Sequence, residues 1–453
     1  MNPITLSEIA VMSGGTLLAG NPESRILRVG KDSRESRSGD LYVALQGERF
    51  DGNAFIAAAA AAGATAALCN GEVPSGLPEG FGIITTADAL SSLALLASAW
   101  RSQLSLRSIV VTGSSGKTSV KDFTARVLAG SLRVTSTKGN LNNAIGLPLS
   151  ILEANSEDEA AVWEIGMNHR GEIAPLAGIA RPEIAVITGI GSAHIEHLGS
   201  LQEIAQEKGD LFARLPSGGY GIIPEEDPFA AELRSRTSAR VLSVGMLKGD
   251  MRATILDASE SGTRFRIDGE AGTTEAFVPV AGTHMVLNAL LAVTAGWLCG
   301  IGLEESAARL EEVELTPGRL QKKLRGGITY LDDTYNANPE SMIAALRTMG
   351  SIPVKGRRVA VLGRMGELGT HAAEGYRRVG DIAAGNADHL IVVGPEAAAI
   401  GDAARAAGLT AVETVPDAQA AAATVDSLAK EGDLVLVKAS RSARLEDIFR
   451  FLN

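Results

Sequence analysis

Between Ser108 and Leu128 an apolar run, Ser108-Ile109-Val110-Val111-Thr112, passes through Gly113-Ser114-Ser115-Gly116-Lys117-Thr118-Ser119 into an amphipathic stretch from Val120 to Leu128. That order dictates a strand, a glycine turn and a helix. The glycines let backbone N–H groups close around phosphate oxygens, and the helix start adds a partial positive charge. Lys117 can reach the outer phosphates and the Thr118 hydroxyl can hold Mg²⁺. The strict P-loop pattern has a glycine five positions before Gly116; Val111 stands there, so the shorter Thr-Gly-x-x-Gly-Lys-Thr form remains. Such a turn can be merely structural, but Gly-Lys-Thr directly after an apolar strand favours a nucleotide site. The motif alone does not separate kinase, motor, switch and ligase.

A chain of 453 residues suggests about three domains. At 45% hydrophobic and 21% charged it can bury real cores. A net charge of −11 disfavours broad binding to nucleic acid or anionic membrane, so anionic substrates must meet local basic residues. Cys69 and Cys299 are too few for a disulfide framework. The N-terminal MNPITLSEIAVMSGG has no basic region or long apolar core, which predicts no signal peptide. The alanine-rich run from Ala57 to Ala67 is too short for a membrane span. A cytoplasmic soluble protein is expected, with no nucleic-acid or membrane partner.

The fold class read from the pattern is α/β in three domains. A small α/β N-terminal domain is expected over 1–103, with an alanine-rich helix at 54–63 and another at 87–103. A central P-loop-type domain with a mostly parallel sheet is expected over 104–316, with strands at 108–112, 160–165 and 183–188 and a β-rich, antiparallel extension over 240–280. Pro317-Gly318 marks the next boundary. The remainder, 317–453, carries strand runs at 358–363, 390–394 and 433–437 between alanine-rich helices, which predicts a Rossmann-like domain.

Glu164 ends the strand Ala161-Val162-Trp163-Glu164, where a carboxylate can face the cation of a phosphate loop; a solvated strand-end glutamate is the plain alternative. His194 follows the strand at 183–188 and a glycine loop, so it falls at the same sheet edge. His197 makes a His-x-x-His pair with it, but with no cysteine or third histidine nearby a structural zinc is not expected. Leu201, Ile204, Leu211 and Leu215 form an apolar stripe at helical spacing, and Lys208 sits on it. A lysine on a buried face without a partner either snorkels to the surface or is neutral. A neutral lysine can react with CO₂ to give a carbamate, an oxygen ligand suited to Mg²⁺. Thr137-Lys138-Gly139-Asn140-Leu141-Asn142-Asn143 is a polar loop whose amides could bind phosphate, or an ordinary Asn-rich turn. Leu331 to Pro339 crowds Asp333, Tyr335, Asn336 and Asn338 between a strand and a proline-started helix.

Together these pieces resemble the Mur ligases over nearly the whole chain. Asp32-Ser33-Arg34 and Tyr42 to Gly52 resemble the uridine-nucleotide-binding domain of that family, which implies Ser33, Arg34 and Gly47 as contacts of a UDP-linked substrate. TGSSGKTS resembles its ATP loop, implying Gly113 to Ser119, and TKGNLNN, with Asn140, its loop near the γ-phosphate. EIGMNHRGEI carries Glu164, GSAHIEHLGS carries His194, and QEKGDLF carries Lys208, the position the family carbamylates. GTHMVLNAL and PGRLQ resemble adenine and ribose contacts, pointing to His284, Asn288 and Arg319, with Asp333 at the ribose or near it. DDTYNANPESM and LGRMGELG are similar to stretches of the branch that adds D-alanyl-D-alanine, and Asn336 and Asn338 are its implied acceptor contacts. The chain departs from the family at Arg364, usually Asp, and at Ala439, usually Gly.

The resemblance implies an ATP-dependent ligase that joins UDP-N-acetylmuramoyl-tripeptide to D-alanyl-D-alanine through an acyl phosphate. Lys117, Glu164, His194 and Lys208 would be catalytic. Thr118 and Glu164 would hold one Mg²⁺, and Glu164, His194 and carbamylated Lys208 the other. A monomer is expected. A folylpolyglutamate-synthetase-like ligase shares this logic but predicts no uridine dependence, which the Asp-Ser-Arg block disfavours. A P-loop ATPase switch would give the acid, histidine and lysine no evident purpose.

Overall fold

The structure, a computed structural model, describes residues 1–47 and 50–452. Glu48 and Arg49, inside the Tyr42 to Gly52 motif, lie outside the described residues.

The apolar strand runs assemble a nine-stranded sheet in the order Val134–Ser136, Ala160–Glu164, Arg107–Thr112, Ile184–Ile187, Tyr220–Pro224, Arg240–Gly245, Met251–Ser259, Gly262–Gly269, Gly272–Val278. The strands are parallel as far as Met251–Ser259. Beyond it come two antiparallel pairings over 251–278; of the extension expected over 240–280, Arg240–Gly245 is instead parallel to both its neighbours. Its alternating pattern, Thr263 to Ile267, buries Phe265 and Ile267 and leaves Arg264 and Arg266 outside. The chain leaves Arg107–Thr112 for the strands on one side and then crosses to Ile184–Ile187 on the other. Val111 consequently pairs with both Glu164 and Val186. This reversal opens a crevice at the carboxyl ends of those strands, where open α/β sheets bind ligands.

A six-stranded sheet follows in the order Gln321–Arg325, Ile328–Asp333, Leu434–Lys438, Arg358–Leu362, His389–Val393, Val412–Val415. It is parallel apart from the first pair. The N-terminal part carries a five-stranded sheet, Thr16–Ala19, Gly82–Thr85, Ala66–Cys69, Asp40–Val43, Arg28–Gly30, antiparallel only at its first pair. One continuous apolar cluster contains Ile84, Val111 and Leu362 and so joins the three sheets, while the N-terminal and six-stranded sheets each add a smaller cluster of their own, around Tyr42 and Val435.

Polar ties fix the units to each other. Trp100 Nε1 donates to the Ala154 carbonyl at 3.0 Å. The buried Arg101 guanidinium donates to the carbonyls of Ala180, Leu104 and Leu106. Buried carbonyls without donors would be costly, so these bonds anchor the helix Ala89–Gln103 against the central sheet.

Candidate active site

The crevice opens into a cavity of about 1100 Å³, lined by residues 114–119, the Asn140–Asn143 region, Glu164, His194, Asn288, Arg319, Asp333, Asn336, Asn338 and Lys438. Its floor is the phosphate loop. Gly113 and Gly116 adopt φ of 149° and 84°, which L side chains rarely do. A Cβ on Gly113 would lie 1.9 Å from Thr188 Oγ1, and one on Gly116 2.7 Å from Asn288 Oδ1, so the loop needs both glycines. Ser114 N donates to the Gly189 carbonyl at 2.9 Å and its hydroxyl to that of Gly191 at 2.8 Å. The loop is thereby pinned to the neighbouring strand's exit. Lys117, at the start of the helix Lys117–Ala129, folds back to donate to the Gly113 carbonyl at 2.7 Å. Burial lowers its pKa, against the field of Glu164.

Glu164 ends the strand beside the loop and is 2% exposed. Its Oε2 accepts from the Thr118 hydroxyl at 2.9 Å and its Oε1 from the Asn142 amide at 2.7 Å. Its own N–H donates to Thr137 Oγ1 at 3.0 Å, and the Thr137 carbonyl accepts from buried Lys121 at 3.0 Å. The polar loop at 137–143 therefore serves to orient this carboxylate. Asn140 lines the cavity, but it is Asn142 that touches Glu164.

His194 has a left-handed backbone (φ 65°) just before the short helix Ile195–Leu198. Its Nδ1 lies 2.5 Å from Glu367 Oε2. Burial lowers the imidazole pKa, partly offset by that carboxylate, and the imidazole in turn holds Glu367 below the ordinary carboxyl range. His197 instead turns outward, its ring centroid 5.0 Å from that of His169.

Lys208 lies within the helix Leu201–Ala213, wholly buried, and its Nζ has no hydrogen-bond partner among the described residues. Its neighbour Glu207 gives it no ion pair, because that carboxylate accepts from the Gly171 and Ile173 N–H groups at 2.7 and 2.8 Å. Burial, reinforced by the Lys117 charge, holds the Lys208 pKa well below its ordinary value. His194 feels both lysines, so the groups share one electrostatic site.

The six-stranded sheet supplies the facing wall. Arg319 Nη2 donates to Thr118 Oγ1 at 2.7 Å, and its guanidinium lies 4.3 Å from the Tyr335 ring centroid. Asp333 pairs with Lys438 at 2.6 Å and accepts from Leu320 N at 3.1 Å. Asn338 caps the helix Pro339–Ser351, accepting from Ser341 N at 2.8 Å, while its amide reaches Ser115 Oγ at 3.1 Å. Asn336 also lines the cavity, and its carbonyl accepts from Lys438 at 2.8 Å. His284, between the two walls, has its pKa lowered to about 4, chiefly by burial.

Ser33, Arg34 and Gly47 are elsewhere and do not line this cavity. Ser33 and Arg34 form a single turn capped by Asp32, which also pairs with Arg34 at 2.6 Å. Near it, Gln46, Asp51, Asn53 and Asn70 form a hydrogen-bonded cluster. Sequence reasoning assigned no individual role to Asn142, Tyr335, Glu367 or Lys438, although Asn142 lies in the amide-rich loop, Tyr335 in the crowded segment at 331–339 and Glu367 in LGRMGELG.

Comparison with known proteins agrees with this geometry. The chain matches the Mur ligase family, catalytic domain over residues 25–95, the Mur ligase middle domain over 111–296, and the Mur ligase, glutamate ligase domain over 318–441. It is 36% identical to the UDP-N-acetylmuramoyl-tripeptide–D-alanyl-D-alanine ligase of Bacillus subtilis, covering 99% of this chain and 98% of that one. The crystal structure of MurF from Acinetobacter baumannii superposes with a TM-score of 0.91 at 32% identity, covering 100% of this chain and 99% of that one. The MurF ligase from Thermotoga maritima, solved in complex with ADP, gives 0.84 at 28%, covering 94% and 96%. With a full-length relative at this identity and three of the family's domains matched in order, the chain belongs to the Mur ligase family.

Proposed function

We infer that this chain uses ATP to join D-alanyl-D-alanine to the free carboxylate of UDP-N-acetylmuramoyl-tripeptide, giving the pentapeptide precursor of peptidoglycan. The observation that carries the reading is full-length identity to relatives bearing that activity in their names. The cavity supplies chemistry of the right kind. A carboxylate is a poor electrophile, so one of its oxygens first attacks the γ-phosphorus of ATP and ADP leaves. The dipeptide amine then attacks the acyl carbon, losing a proton as the C–N bond forms and inorganic phosphate departs. Lys117 and the loop N–H groups from Gly113 to Ser119 bind and orient the phosphates. Asn288, Arg319 and His284 would position adenosine, with Asp333 near the ribose. Asn140 would face the γ-phosphate, and Asn336 and Asn338 the acceptor. Closure of the cavity by the six-stranded domain would exclude water from the acyl phosphate.

Thr118 and Glu164 would hold one Mg²⁺, and Glu164, His194 and Lys208 the second. Bound there, Mg²⁺ neutralises the phosphate and carboxylate oxygens so that two anions can approach. The donor set fits on one condition. Among the described residues no three His, Cys, Asp or Glu side chains converge as ligands, so Glu164 and His194 need a further oxygen. A carbamate on Lys208 would supply it, and the fully buried Nζ, without a hydrogen-bond partner among the described residues and with its pKa lowered by burial, supports this reading.

The division into 1–103 for the UDP-linked substrate, through Ser33, Arg34 and Gly47, 104–316 for ATP and 317–453 for the acceptor is part of the same proposal. So are a monomeric state and a cytoplasmic location, where ATP is available. No helix among the described residues is long and apolar enough to cross a membrane. Incubation with ATP, Mg²⁺ and UDP-N-acetylmuramoyl-tripeptide, with and without D-alanyl-D-alanine, tests the reading. Phosphate release should require both organic substrates; release indifferent to them rejects it.

A further inference from the structure

We propose that Arg364 binds the free carboxylate of the incoming dipeptide and so selects an acceptor ending in an acid. This rests on the ligase reading above.

The backbone that carries Arg364 is fixed while its side chain is not. Gly363 N donates to the Lys438 carbonyl at 3.0 Å, and Ser440 N to the Arg364 carbonyl at 2.9 Å. The Tyr376 hydroxyl bridges Met365 N and O at 3.2 Å each, and Glu196 N donates to the Glu367 carbonyl at 3.1 Å. The side chain has one partner, Glu396, at 3.2 Å, with the two groups 39% and 60% exposed. So exposed a pair adds little, and a guanidinium carries five donors in a fork that matches a carboxylate. A substrate carboxylate can therefore replace or join Glu396 at small cost.

Charge points to the same residue. The cavity wall carries Glu164, Asp333, Glu340 and Glu367, so an entering carboxylate needs a cation. Of the wall's lysines and arginines, Lys117 and Arg319 face the phosphate loop and Lys438 is held by Asp333 and the Asn336 carbonyl. Arg441 pairs with Glu446, and its guanidinium lies over the ring of Tyr335, which Arg319 also faces beside Thr118, so it belongs to the nucleotide end of the cavity. Arg364 remains. Its strand, Arg358–Leu362, is separated from Ile328–Asp333 by Leu434–Lys438. Two strand spacings, about 10 Å, thus set it away from the Asp333 end of the cavity. Three residues on, within about 11 Å of chain, Glu367 meets His194. An extended dipeptide spans about 7 Å, so its amine can face the reacting centre while its carboxylate faces Arg364.

The test compares D-alanyl-D-alanine with its C-terminal amide as acceptors for wild type, Arg364→Gln and Arg364→Lys. Wild type should prefer the acid. Arg364→Gln should raise KM for the acid by about 10- to 100-fold, the loss of a charge-assisted contact, and leave the amide and the KM for ATP unchanged. Arg364→Lys, keeping charge but losing the fork, should fall between. An unchanged KM for the acid, or an equal loss with both acceptors, would overturn the assignment. Absence of amide-bond formation by wild type with either acceptor would instead overturn the ligase reading.

Discussion

Thr118 and Glu164 meet across 2.9 Å, one in the first turn of the helix that follows a central strand and the other at the end of the strand beside it. Asn142 holds the second oxygen of the carboxylate and Thr137 its backbone, which fixes the direction in which it points. Such preorganisation places charge where a cation must sit. Glu164→Gln keeps the shape and removes the charge. Steady-state kinetics should show a loss of about 10²–10³-fold in kcat with nearly unchanged thermal stability. A variant with wild-type kcat would contradict the role.

Lys208 should separate stability from activity. Its amine is buried without a partner, so Lys208→Met removes an uncompensated polar group and should raise the thermal midpoint in CO₂-free buffer. The same change should abolish ligation. Lys208→Ala should also be inactive and recover partly with added short carboxylates, which can stand in for the carbamate. Full activity in Lys208→Ala without rescue would reject that role.

His284 should impose a pH dependence on folding. Burial lowers its pKa from 6.5 to about 4, so the unfolded chain holds a proton there that the native chain lacks. The native state therefore loses stability as pH falls through 6.5, and the loss levels off below about 4. Denaturant titrations should show wild type falling by at most about 1.4 kcal/mol per pH unit relative to His284→Gln over this window. Identical pH slopes for the two proteins would count against it.

Asn338 joins two walls of the cavity, capping its own helix and touching Ser115 on the phosphate loop. Asn338→Ala should cost about 1 kcal/mol of stability through the lost cap. It should also raise the KM for ATP, because the loop loses a partner from the facing domain. A lost cap with unchanged KM for ATP would limit Asn338 to a helix-terminating role.

Much of this arrangement is legible in the sequence where the signal is local. Apolar runs marked the buried parallel strands at 108–112, 160–165 and 183–188 but not Tyr220–Pro224, and alternation at 263–267 marked the antiparallel pairing. Glu164 and His194 could be placed at one sheet edge because each follows a strand. Lys208 could be singled out because helical spacing put it on an apolar stripe, and it is fully buried. What escaped depends on segments far apart in the chain. LGRMGELG marks the segment of Glu367, but nothing in it names His194, 173 positions earlier in the chain, as the partner 2.5 Å away. Lys438 likewise acquires its role only when its strand aligns beside Asp333. The edge strands Gln321–Arg325 and Val412–Val415 were missed because neither is an apolar run.

The central claim is that ATP activates a carboxylate by phosphorylating it between Thr118, Glu164 and Lys117. The most direct measurement uses tripeptide substrate labelled with ¹⁸O in the reacting carboxylate and follows the label by mass spectrometry. Ligation through an acyl phosphate should deliver one ¹⁸O atom to each inorganic phosphate released. Phosphate free of ¹⁸O alongside normal peptide product would contradict the account.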